Sequence, residues 1–207
     1  MVISWQNWAL FTATEAALSL SPGPAVMMVV AYGIAKGWRH SLYVTLGILT
    51  GNAIYFVLSA TGIGSLIIAS PRLFLGIKYI GAAYLVYLGL SAILGKPSPL
   101  TLSRLDEKAQ SNTRIFISAL MLQLTNPKTL LMFIAVLPQF IDPAEPIAGQ
   151  MLLLAASSII PEFFILLGYG VLAGKASHLA MQERYSLITE RIAGTLVITA
   201  GVLVAMI

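Results

Sequence analysis

Three ionisable side chains stand inside long apolar runs: Glu15, Lys128 and Glu162. A charge held in such a run costs at least a few kcal/mol, so each is by default a functional-site candidate. Glu15 shares a helical face with Thr12 and Ser19. Glu162 follows Pro161, with Ser158 one turn before it and Tyr169 two turns after. An acid shielded from water suits the loading and release of a proton; it would serve equally as a hydrogen-bonding fixture between helices. Lys128 could receive a substrate carboxylate, pair with Glu15 or Glu162, or reach back to an interface. Thr45, Asn52 and Ser59 recur at seven-residue spacing with Tyr55 beside Asn52, a polar stripe that suits a pathway or interhelical bonding.

Two polar interruptions sit beside these residues. Ser21-Pro22-Gly23-Pro24 and Thr125-Asn126-Pro127-Lys128 each set a small polar residue before proline, the pattern of a helix start. Prolines lack an N–H, so each interruption also frees carbonyls that need other partners. A helix start in the middle of an apolar segment implies a span made of two half-helices; ordinary proline kinks are the plainer reading.

The elements that carry these residues are set by composition. The chain is 58% hydrophobic and 10% charged with mean hydropathy +0.88, far from the roughly 25% charged of a soluble domain. Apolar segments fall at Trp5–Ala31, Leu42–Ala69, Leu73–Leu94, Ile115–Ile141, Ile147–Ala173 and Ile192–Ile207. Lipid offers the backbone no partners, so they are expected to be helical. The expected fold is an all-α integral membrane protein with six transmembrane helices in one domain, residues 1–207. Residues 1–94 and 115–207 form two three-helix repeats joined by loop 95–114. Lys36, Arg39, Lys96, Arg104, Lys108, Arg114, Lys175, Arg184 and Arg191 fall in the odd loops; Arg72 and Lys78 fall on the other side. The positive-inside rule makes the odd loops cytoplasmic and puts both termini outside. Three spans per repeat invert one repeat against the other, the layout of transporters whose sites lie where half-helices meet.

Ser21-Pro22-Gly23-Pro24 with Gly47 and Gly51, Gly81-Ala82-Ala83-Tyr84-Leu85, and Leu124-Thr125-Asn126-Pro127-Lys128 followed by Leu137-Pro138-Gln139-Phe140 resemble the LysE/RhtB family of amino-acid exporters over nearly the whole chain. The resemblance implies a six-span bacterial inner-membrane exporter of small amino acids driven by the proton gradient. A fifth-span acid with a downstream tyrosine is similar to a family pattern and supports Glu162. Asn52 departs from the family, many of whose members have Asp there.

The expected substrate site comprises Ser21, Pro22, Gly23, Pro24, Asn52, Thr125, Asn126, Pro127, Lys128 and Tyr169, with Glu162 and Glu15 coupling protons. The half-helix N-termini would present amides and positive dipole ends to a substrate carboxylate. Glu162, with Asn52 or Tyr169, would take the ammonium or a proton. Too little charge lines the pathway for a dibasic substrate, so a neutral amino acid is expected. A divalent metal-ion exporter is the alternative, although two acids are thin material for it. With no cysteines and with His40 and His178 in expected loops, neither an electron carrier nor a metal cofactor is indicated. No Gly-x-Ser-x-Gly or His–Glu helix motif points to an enzyme. Expected partners are the amino acid, protons and the bilayer, with no nucleic acid, and a homo-oligomer is compatible with the sequence. Gly33/Gly37, Gly47/Gly51 and Gly170/Gly174 read as close-packing positions.

Overall fold

The computed structural model describes residues 3–21, 23–69, 111–142 and 144–175, with single positions between 76 and 94 and between 191 and 202. The expected third span (Leu73–Leu94) and sixth span (Ile192–Ile207), apart from those single positions, lie outside the described residues, as do Pro22 and most of loop 95–114.

Every regular element among the described residues is helical. Helix α1 (Trp5–Leu20) starts where Ser4 Oγ accepts from the Asn7 amide. Helix α2 (Pro24–Lys36) starts on proline after Gly23 and lies at 50° to α1. A single residue, Gly37, joins α2 to α3 (Trp38–Ala69), and its φ of +81° is one that only glycine adopts without strain. The expected loop over Lys36–Arg39 is therefore a one-residue joint. His40, expected in that loop, lies in the first turns of α3 with its Nδ1 2.7 Å from the Lys36 carbonyl oxygen.

Helix α4 (Asn112–Leu124) is capped by Ser111, so Asn112–Arg114, expected in the loop, are helical. Helix α5 (Pro127–Leu131) starts where Asn126 Oδ1 accepts from the Lys128 amide at 3.1 Å. It continues as a π turn, Met132–Val136, and a 3₁₀ turn, Leu137–Phe140. Pro138 accounts for this irregularity, since it cannot donate to the carbonyl four residues back. Asn112–Leu124 and Lys128–Phe140 lie at 52°. The last long helix, α6 (Ile147–Lys175), carries Pro161 inside it. Buried Gln150 ties the turn before α6 by bonding both the amide and the carbonyl of Asp142 at 2.8 Å.

Trp38–Gly62 and Ile147–Lys175 are long and apolar enough to cross a bilayer, and counting each bent pair as one span gives up to four. Val57, Leu58, Leu152, Phe164 and Leu172 leave these helices exposed to the surroundings, as lipid-facing positions require. Close packing rests on glycine. A Cβ at Gly33 of α2 would lie 2.7 Å from the Gly170 carbonyl of α6, and one at Gly47 of α3 would collide with the Phe116 carbonyl of α4.

The buried side chains form a sandwich. One apolar cluster contains Phe11, Phe56, Phe133, Phe140 and Leu154; the other contains Val29, Val44, Ile48, Ile115, Ala119 and Leu166. Each long helix or broken pair passes from one cluster to the other through a polar stretch: Glu15 to Gly23, Asn52, Gln123 to Thr129, and Ser158 to Glu162. The polar stretches therefore meet in one layer.

Candidate functional site

The chemistry of that layer begins with carbonyls that proline deprives of their usual helical donor, of which Leu18 keeps only a shared bond from the Ser21 amide at 3.2 Å. In an unbroken helix the Leu18 carbonyl would receive the N–H of residue 22 and the Leu20 carbonyl that of residue 24. Both positions are proline. The Lys128 ammonium donates to the Leu18 carbonyl at 2.9 Å and to the Ser21 carbonyl at 3.3 Å. The Tyr169 hydroxyl donates to the Leu20 carbonyl at 2.9 Å. At the other break the Lys128 amide is taken by Asn126, so the Leu124 carbonyl instead accepts from the Tyr55 hydroxyl at 2.6 Å.

The two acids are held differently. Ser158 Oγ donates to Glu15 Oε2 at 2.9 Å, while the buried Glu15 Oε1 has no partner among the described residues. Glu162 Oε2 accepts from Asn52 Nδ2 at 2.6 Å, and Asn52 Oδ1 in turn accepts from Gln123 Nε2 at 2.6 Å. These side chains line a cavity of about 70 Å³ that reaches Ser21, Gly23, Asn126 and Thr129 on its polar side and Met132, Phe133 and Leu166 on its apolar side. A layer that holds two acids and an ammonium can take both ends of a zwitterion and can exchange a proton.

Residues 16–206 match the family model of the LysE type translocators. The chain belongs to this family. It is 31% identical over 207 residues to the homoserine/homoserine lactone efflux protein of Salmonella typhimurium, covering 99% of this chain and 98% of that protein. It is likewise 31% identical over 162 residues to the leucine efflux protein of Salmonella choleraesuis, covering 75% and 73%. An uncharacterized membrane protein of Vibrio cholerae is 31% identical over 198 residues, covering 96% of each chain. No solved structure matches.

Against this LysE-family framework, the cavity brings together Glu15, Ser21, Gly23, Asn52, Asn126, Lys128 and Glu162 among the expected site residues. Thr125 is not among them: it is exposed, and its hydroxyl turns back to the Met121 carbonyl at 2.8 Å, as a helix-ending threonine does. Pro24 starts α2 without lining the cavity. Pro127 starts α5, and its side chain lies outside the described residues. Tyr169, expected beside Glu162, is engaged on α1 instead. Lys128 meets carbonyl oxygens rather than a carboxylate, because the end of α1 is a negative pole left short of donors.

Gln123 escaped the sequence reading, although an amide inside the apolar run Ile115–Leu124 is as anomalous as Asn52 in its own. Ser158 stands one turn before Glu162, but its hydroxyl serves Glu15. Among the described residues no group of three or more His, Asp or Glu side chains is placed to hold a metal ion.

Proposed function

We propose that this protein exports a small neutral amino acid from the cytoplasm across the bacterial inner membrane in exchange for protons. The observation that carries this reading is the convergence of Glu15, Lys128 and Glu162 on one cavity between two helix breaks, walled by apolar clusters on either side. The family supports the transport class, and relatives named for homoserine and leucine efflux support an uncharged side chain on the substrate.

In this mechanism the substrate carboxylate approaches the first turn of α2. That turn has no side-chain cap among the described residues, and its Gly23, Ala25 and Val26 line the cavity. The ammonium is received by Glu162. A proton entering from outside then takes its place, so one amino acid leaves as a proton enters. Lys36, Arg39, Arg114 and Lys175 lie at helix ends on the side of the second cluster, which makes that cluster the cytoplasmic barrier. The first cluster is then the outer barrier, and both termini are outside.

The inverted-repeat reading draws support from crossed equivalences. Glycines of α3 pack on α4 of the other repeat, and glycines of α6 pack on α2 and the start of α3, both in the first. Tyr55 of α3 holds the break after α4, and Tyr169 of α6 holds the break after α1. Each repeat thus grips the broken helix of its partner, a geometry suited to rocking about the shared cavity. Proteoliposomes loaded with labelled homoserine, leucine, lysine and divalent metal ions, under an imposed pH gradient, test the reading. Gradient-stimulated loss of neutral amino acids is expected; loss of metal ions alone would overturn it.

A further inference from the structure

Glu162 makes one hydrogen bond among the described residues, and that bond depends on a residue it does not touch. An ionised carboxylate can only accept, so Asn52 must present its Nδ2 to Glu162 Oε2. Asn52 Oδ1 then faces Gln123, which must present its own Nε2. The remaining amide oxygen, Gln123 Oε1, is buried with no partner among the described residues. Reversing either amide would set oxygen against oxygen, so the three groups share one direction. Gly51 makes room for this arrangement, since a Cβ there would lie 2.9 Å from Gln123 Cγ. Glu15 from α1 and Lys128 from α5 line the same cavity, but their hydrogen bonds go to Ser158 and to the α1 carbonyls.

We infer that Gln123 is a positioning residue, which orients the Glu162 carboxylate through Asn52 and ties it to the break after α4. The inference rests on the reading of Glu162 as the exchanging acid. Gln123 stands in the last turn of α4, where its backbone carbonyl accepts from the Asn126 amide at 3.2 Å. A movement of α4 along α3 would therefore withdraw the donor that keeps Asn52 turned toward Glu162.

The test is an infrared difference spectrum of the purified full-length protein between acid and alkaline conditions, with the Glu162 carboxyl band assigned by its loss in Glu162→Gln. Gln123→Met, which keeps the length and removes the donor, is expected to move that band as Asn52→Leu does. The double variant should match Asn52→Leu. Amino-acid exchange should fall about tenfold in each single variant and no further in the double. If Gln123→Met does not fold, Gln123→Leu serves, because it also lacks the donor to Asn52 and adds no carboxyl band. An unmoved band in a folded Gln123 variant, or losses that add in the double, would overturn the inference. The band is read without transport, so a wild-type protein that moves no amino acid would count against the export reading alone.

Discussion

Lys128 shows how a residue acquires its place from the backbone around it. Two prolines two residues apart remove the donors for the Leu18 and Leu20 carbonyls, and an ammonium is a strong replacement where water is scarce. Its presence in mid-segment was legible because a lysine in an apolar run is anomalous. Its partners were harder to read, since every residue offers a carbonyl; the four-residue offset from Pro22 singles out Leu18, but nothing of the kind marks Ser21. Glu15, Asn52 and Glu162 were legible by the same anomaly; which hydroxyl or amide each would meet was not, because that depends on how four helices align. Lys128→Met should leave the end of α1 short of a donor and cost about 1–3 kcal/mol, read as a lower melting temperature in detergent. Unchanged stability would remove the capping role.

At the scale of elements, proline and cap residues marked where α2 and α5 begin, because their chemistry is local. The joint at Gly37 is shorter than the expected loop, since Lys36, Arg39 and His40 interrupt the apolar run yet belong to α2 and the first turn of α3. The π and 3₁₀ turns after α5 follow from the N–H that Pro138 lacks, which hydrophobic periodicity does not report. Glycine contacts separate packing from propensity. Gly47→Ala places a Cβ against the α4 backbone and should destabilise by about 1–3 kcal/mol. Gly62→Ala meets nothing within 4 Å among the described residues and should be neutral or stabilising by up to about 1 kcal/mol. Equal melting temperatures for the two variants would contradict close packing at Gly47.

For the whole molecule, the proposed orientation rests on the basic residues at one end of the bundle. The chain has no cysteine, so single introduced thiols report sidedness cleanly. Ala144→Cys, in the turn before α6, should react with a membrane-impermeant maleimide in intact cells. Lys175→Cys, at the end of α6, should react only after the membrane is opened; the reverse pattern would invert the assigned direction of transport. Composition made the membrane assignment legible. The meeting of the two breaks at one cavity emerged only once the helices were packed. Net export from proteoliposomes under a pH gradient, compared between the wild-type protein and Glu162→Gln, tests proton-coupled export through this cavity most directly. At equal levels of inserted protein, gradient-driven export should fall at least tenfold in the variant. Undiminished gradient-driven export by Glu162→Gln would contradict the account.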